Sequence, residues 1–219
     1  MALLGLLGLA LWRGWLELPP RWNPWAPLDI NAAPNLLTRF KLARLAASPE
    51  LCRQALASGG VVYSPQADSN GRCPLHNVVR VQRAGVGFSS SFLASCPLAV
   101  SFALFERHGL QTAAQAVFGQ PVVSVEHLGS FACRNVYHRQ QGRLSQHASA
   151  NALDISAVRL ADGRRISVEQ GWNQGEQGRF LRLMQAGACE AFNGVLGPDY
   201  NAAHRNHFHL DMGGWGLCR

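Results

Sequence analysis

The sequence predicts an α+β domain in which helices pack on a mainly antiparallel, disulfide-stabilised sheet. Three observations carry that reading. Short runs that alternate apolar and polar residues, such as Asn77 to Arg83 and His207 to Met212, stand between longer runs with helical spacing. Hydrophobic residues fill 47% of the 219 positions and charged ones only 15%, which supplies one buried core and excludes a disordered chain. The cysteines Cys52, Cys73, Cys96, Cys133, Cys189 and Cys218 are even in number, dispersed and never at C-x-x-C spacing. That pattern favours three disulfides over a zinc knuckle, a redox pair or free buried thiols. Their pairing stays open, although Cys189 and Cys218 flank the last segment and could lock it against the final helix.

Taken in order, Met1 to Trp12 is uncharged and almost wholly apolar, and Arg13 follows directly. Residues 1–18 read as a signal or anchor segment. It is shorter than the roughly 20 residues of a spanning helix and lacks a basic n-region and an A-x-A cleavage site, so an uncleaved anchor is the expectation. Trp12, Trp15, Trp22 and Trp25, interleaved with Arg13 and Arg21, match the aromatic and cationic belt at a bilayer edge; the alternative is that they pack on the domain. Residues 19–35 hold Pro19, Pro20, Pro24, Pro27 and Pro34 and few periodic apolar positions, which predicts an extended linker ahead of a folded domain at 36–219.

Within that domain the spacing of Phe40, Leu42, Leu45, Leu51 and Leu56 predicts a helix from Thr38 to about Ser58, ended by Gly59-Gly60. Strands are expected at Val61 to Ser64 and Asn77 to Arg83. Cys96 to Phe118 reads as a long apolar helix with Pro97 in its first turn. Pro121 to Phe131 suggests a strand, Ala152 to Val168 a hairpin turning at Asp162-Gly163, Glu176 to Phe192 a helix, and His207 to Met212 a closing strand.

A formal net charge of +7 and a pI near 9.6 suit any polyanion. The arginines are scattered, with no basic run, RNP-like aromatic pattern or recognition-helix motif, so nucleic acid is not an expected partner.

The chemistry concentrates in two stretches, Ser145 to Asp154 and His204 to Asp211. Three of the eight histidines, His204, His207 and His209, fall in the second. On an extended segment His207 and His209 share one face. If the strand starting near Ala152 pairs beside it, the Asp154 carboxylate and the His147 imidazole converge on the same point. Three nitrogen and oxygen ligands with a fourth position open are the make-up of a catalytic zinc site. Asp154 also sits inside an otherwise apolar strand, Ala-Leu-Asp-Ile, where a carboxylate is costly unless paired or coordinated.

Ser-x-His-x6-Asp followed by a C-terminal His-x-His resembles the zinc D,D-peptidases: D-Ala-D-Ala dipeptidases and carboxypeptidases, penicillin-insensitive murein endopeptidases and the hedgehog N-terminal fold. More closely, the run from Gly129 through Phe131-Ala132-Cys133-Arg134, SQHASANALDI, Leu196-Gly197-Pro198, Asn201-Ala202-Ala203-His204 and HFHLD is similar to the bacterial extensin-like C-terminal domain, over most of residues 36 to 219. The resemblance implies a hedgehog/D,D-peptidase-like sheet; Zn2+ held by His147, Asp154 and His209; and His207 beside the metal without ligating it. It places Arg134 where it could neutralise charge on a tetrahedral intermediate. It further implies a periplasmic or envelope location, possible anchoring to the inner membrane, peptidoglycan as the partner, and a monomer.

One position departs from the pattern. The dipeptidase branch has a catalytic Glu three residues before the last histidine ligand, and here that residue is Asn206, whose amide cannot act as a general base. The murein endopeptidase branch is similar in having His-x-x-His-x-His, which His204, His207 and His209 reproduce, so His204 or His207 is the candidate acid/base. Asp211 could orient a ligand histidine from behind. The expected activity is cleavage of a peptidoglycan stem peptide or cross-link, of D,D-endopeptidase or carboxypeptidase type. The alternative is a catalytically silent, zinc-holding domain that binds the cell wall.

Overall fold

The computed structural model describes residues 18–214 and 216–219; the leader expected at 1–18 lies outside the described residues, save Leu18. Helices α1 (Thr38–Leu45) and α2 (Pro49–Ser58) come first. The single helix expected there is broken because the Ser48 hydroxyl accepts the Leu51 N–H and Pro49 opens a new helix. Proline is suited to a first turn and cannot continue a preceding one. A three-stranded antiparallel sheet follows, in the order β1 (Val62–Pro65), β2 (Val78–Arg83), β4 (Phe92–Ser95), while the short β3 (Gly87–Phe88) leaves it for the larger sheet.

The expected long helix runs from Cys96 to Phe118 as α3 (Cys96–Phe105), a π-helical stretch (Glu106–Leu110) and α4 (Gln111–Phe118). All ten residues of α3 are buried, which explains why it is apolar on every side. The π stretch lies where Gly109 meets Gly187 of the long helix α6 (Gly175–Ala191), which follows the single-turn helix α5 (Val168–Gly171). A Cβ on Gly187 would stand 2.8 Å from the Gly109 Cα, so the two backbones touch and neither position has room for a side chain.

The large sheet runs β10 (Leu217–Cys218), β8 (Gly194–Leu196), β9 (Phe208–Asp211), β6 (Ala152–Leu160), β5 (Val122–Gly129), β3. Its outermost pairs are parallel and the pairs between them antiparallel. One edge of β6 is shared: its first half pairs with β9 and its second half with β7 (Arg165–Ser167), across the expected Asp162-Gly163 turn. Phe88, Phe92, Phe102, Phe105 and Phe192 form a chain of tilted and edge-on rings through the core.

Three disulfides close the fold. Cys52–Cys96 ties α2 to the start of α3, Cys73–Cys133 ties the loop after β1 to the one after β5, and Cys189–Cys218 ties α6 to the last strand, as its flanking position suggested.

Residues 19–35 are packed on the domain instead of extending away from it. Leu28 and Ile30 enter the main core, and the Ile30 N–H donates to Ser58 Oγ at 2.9 Å. The irregular carbonyls find side-chain donors: Lys41 Nζ to Pro20 at 2.7 Å, Arg44 to Pro24 at 2.8 Å, and Asn35 Nδ2 to Arg21 at 2.9 Å. A short 3₁₀ turn at Pro20–Trp22 is the segment's one regular element, and proline content says nothing about whether such a segment is docked. Among the described residues no helix is long and apolar enough to cross a membrane.

Candidate metal centre

The pairing of β6 with β9 makes the site. Leu153 and Ile155, like Phe208 and Leu210, are fully buried in the core, so the period of two turns Asp154 and His209 to the opposite face. The register sets those two residues directly across from each other. His147 arrives from a 3₁₀ turn, Gln146–Ser149, opened by Ser145, whose hydroxyl accepts the His147 N–H. The turn is pinned when the Ala132 N–H donates to the His147 carbonyl at 3.1 Å, and Ala150 reverses the chain into β6 with a φ of 51°. Behind it Ser95, Asn151 and Gln146 form a hydrogen-bonded row.

The three side chains converge. His147 Nε2 lies 3.2 Å from Asp154 Oδ2 and 3.2 Å from His209 Nδ1, and His209 Nδ1 lies 2.9 Å from Asp154 Oδ1. One ligand atom from each falls within 4.8 Å of the others. The outer nitrogens are already committed. His147 Nδ1–H donates to the Ser130 carbonyl at 3.1 Å, and His209 Nε2–H to Asp211 Oδ2 at 3.1 Å. With those tautomers the two inner nitrogens present lone pairs to each other at hydrogen-bond distance. Such a pair is repulsive unless a proton or a metal ion sits between.

Asp211 is itself fixed. Its Oδ1 accepts the Gly213 N–H at 2.6 Å, and a Cβ on Gly194 would come within 2.5 Å of its Oδ2, so Gly194 is the residue that leaves room for this carboxylate. Burial opposes charge on Asp154, yet the His147 and His209 imidazoles beside it hold its carboxyl well below the usual range. Burial also opposes charge on His209, and the two aspartates overcome it, raising its pKa to about 9. An ion entering the site must therefore displace a tightly held proton.

His207 and His204 stand beside this triad. His207 Nε2 is 3.7 Å from Asp154 Oδ1, and its Nδ1–H donates to Asn206 Oδ1 at 2.8 Å. The His204 ring centroid is 5.3 Å from that of His207 and 5.9 Å from that of His209, and its Nδ1–H donates to Asn201 Oδ1 at 2.8 Å. Burial lowers the pKa of both, that of His204 to about 4. Both are thus neutral near pH 7, with Nε2 as the basic atom. The family profile of the extensin-like protein C-terminus matches residues 50–219, a span that contains every one of these side chains.

The chain belongs to the extensin-like C-terminal family. No curated protein and no solved structure matches it. The folded unit of this extensin-like protein starts ahead of the matched span, since Leu28, Ile30, Leu42 and Leu45 belong to the core. Arg134 is half-buried next to Cys133; its carbonyl accepts the Ser145 N–H, and among the described residues its side chain makes no hydrogen bond or ion pair with the histidine cluster. Three partners escaped the sequence reading. The Ser130 carbonyl is a backbone group with no residue signature, whereas Asn201 and Asn206 each sit close in sequence to the histidine they orient. An asparagine within three residues of a histidine is the signal that would have found them. At the rim, Asn201 Nδ2 donates to the Tyr137 hydroxyl at 3.4 Å and the Tyr200 ring packs edge-on against His204.

Proposed function

We propose that this extensin-like protein is a zinc-dependent hydrolase that cleaves a peptide bond in peptidoglycan stem peptides or cross-links at the cell envelope. The observation that carries the reading is the pair of inner imidazole nitrogens, 3.2 Å apart and flanked by a charged, buried carboxylate, with both outer nitrogens bonded to acceptors. A tetrahedral ion with bonds of about 2.0–2.1 Å has ligand-to-ligand edges of about 3.3 Å. The 3.2 Å between His147 Nε2 and His209 Nδ1 fits that edge, and the Asp154 carboxylate reaches both nitrogens, Oδ2 at 3.2 Å from His147 and Oδ1 at 2.9 Å from His209. The donor set, two imidazoles and one carboxylate, leaves a coordination position for water or substrate.

Bound there, zinc supplies a Lewis acid that lowers the pKa of water to about 7 and polarises the scissile carbonyl. His147, Asp154 and His209 hold it; the Ser130 carbonyl and Asp211 fix the imidazole tautomers and strengthen them as ligands. His207, and behind it His204, offer neutral Nε2 atoms that take the proton released by the attacking water and return it to the departing amine. Asn206 is not a base here; its amide oxygen turns His207 so that Nε2 faces Asp154. The charge-neutralising role of Arg134 rests on the resemblance to zinc D,D-peptidases alone. The choice of a D,D-type bond and of peptidoglycan rests on the resemblance to zinc D,D-peptidases, and location in the periplasm or envelope rests on the apolar leader and the three disulfides.

Asn206 favours a second reading, a zinc-holding but catalytically silent domain that binds cell-wall material, because no carboxylate occupies the general-base position. Metal analysis of the purified chain and of His209→Ala, followed by incubation with purified peptidoglycan and chromatography of the released muropeptides, separates the two. One zinc per chain, lost in the variant, together with new peptide-cleaved products is the expected result. Zinc without products selects the silent domain, and no bound zinc removes both.

A further inference from the structure

A second surface of the molecule is defined by the docked segment at residues 18–35 and helix α1. Its large apolar side chains point outward: Leu36 is 93% exposed, Trp25 69%, and Trp22 and Phe40 each 44%. They are linked in pairs. The Trp25 and Phe40 rings meet edge-on at 6.0 Å, and Asn35, the residue before Leu36, bonds back to the Arg21 carbonyl beside Trp22. Cations sit over the aromatic faces, with the Arg21 guanidinium 5.4 Å from the Trp22 ring and that of Arg44 5.3 Å from the Trp25 ring. From Leu18 to Leu45 the cations are Arg21, Arg39, Lys41 and Arg44, and the only carboxylate is Asp29. A cleft of about 260 Å³ beneath the segment is lined by Pro20, Arg21, Leu28 and Lys41 among others.

We infer that this face is seated on an anionic phospholipid surface, with Trp22, Trp25, Leu36 and Phe40 in the headgroup region and the arginines against lipid phosphates. The occupant follows from what adjoins the face. The chain running into it is the uncharged stretch Met1 to Trp12, whose only charged followers before Leu18 are Arg13 and Glu17. Amphipathic aromatic rings with cationic neighbours suit the boundary between hydrocarbon and water, and basic residues near an anionic leaflet add electrostatic attraction. Exposed apolar side chains of this chemistry, rimmed by cations, are what an interfacial contact requires. The segment is fastened by Ile30, Lys41 and Arg44. It therefore does not act as a swinging tether; it fixes the orientation of the whole domain toward the bilayer. The inference rests on the leader lying in a membrane and is independent of the metal site.

The test uses the full chain reconstituted in phosphatidylcholine vesicles containing phosphatidylglycerol, with lipids brominated in the upper acyl chain as quenchers. The emission of Trp25 is obtained as the difference between wild type and Trp25→Phe, a change at an exposed position that keeps a ring against Phe40. Flotation with the vesicles tests the leader; a chain that does not float overturns both the anchor and this inference. In a floating chain, the expected Trp25 difference emission is blue-shifted, quenched severalfold by the brominated lipids and shielded from aqueous iodide. Quenching by iodide alone places the face in water and overturns the inference while leaving the anchor standing. Shielding from both quenchers means that protein covers the face, either the leader or a second copy, and overturns it as well. Equal quenching in vesicles without phosphatidylglycerol overturns the role of the arginines.

Discussion

The strand pair β6–β9 and the docked segment at residues 18–45 invert each other's rules. In the first, polar and charged groups are drawn into the interior, and every inner nitrogen and oxygen of His147, Asp154 and His209 faces another. In the second, apolar rings are pushed outward while the backbone beneath them is secured by buried anchors. A soluble domain mostly hides apolar groups and exposes polar ones, and a region that does the reverse is where a ligand or a partner is to be sought. The polar interior suits an ion; the apolar exterior suits a surface.

The contrast can be broken most severely at Asp154. Asp154→Asn keeps the shape and removes the charge, and we expect zinc affinity to fall on the order of a thousandfold or more, read by competition with a chromophoric chelator. Next is Ile30→Ala in the docked segment, a fully buried side chain whose removal should cost about 2–4 kcal/mol in chemical denaturation, although it lies in a stretch that looks like a linker. Asp211→Asn leaves the three ligands untouched but loosens the His209 tautomer, and about a 10–100-fold loss of zinc affinity is expected from the same competition assay.

The pH dependence sharpens the polar side further. His209 has its pKa raised to about 9, so in the metal-free chain its contribution to stability is fully present below pH 6.5 and is lost as pH rises through about 9. Zinc must displace that proton, so its affinity should fall about tenfold for each unit that pH drops below 9. Titration calorimetry in buffers of different ionisation enthalpy would detect close to one proton released per zinc near pH 7. The smallest effect is expected at Leu36→Ser, within about 0.5 kcal/mol of wild-type stability, because a side chain already in solvent has little to lose on folding.

Alternation and helical spacing made most of the large sheet legible. Asp154 announced itself as a carboxylate among Ala152, Leu153 and Ile155, and His-x-His on the neighbouring strand supplied its complement. The long helix from Cys96 and the Asp162-Gly163 turn followed from equally local signals. What stayed hidden depends on contacts made across the fold. The helical spacing of Leu45 and Leu51 runs unbroken through Ser48-Pro49, where capping chemistry ends one helix and opens another. Strands of two or three residues, such as Gly87–Phe88 and Leu217–Cys218, are too short to show a period and exist because a neighbouring strand is there to pair with. The pairings Cys52–Cys96 and Cys73–Cys133 require knowledge of which loops meet. Docking of the segment at 18–35 turns on two side chains, Leu28 and Ile30, in a stretch whose composition otherwise argues for solvent.

Strand β6 belongs at once to the centre of the large sheet and to the candidate metal site, since Leu153 and Ile155 fill the core on one side while Asp154 faces His147 and His209 on the other. An ion that binds there and not to the unfolded chain adds its binding free energy to the stability of the fold, about 4 kcal/mol when it is present at a thousand times its dissociation constant. If zinc is that ion, its supply sets how long the folded chain lasts, and the empty chains are the first to be lost to proteolysis.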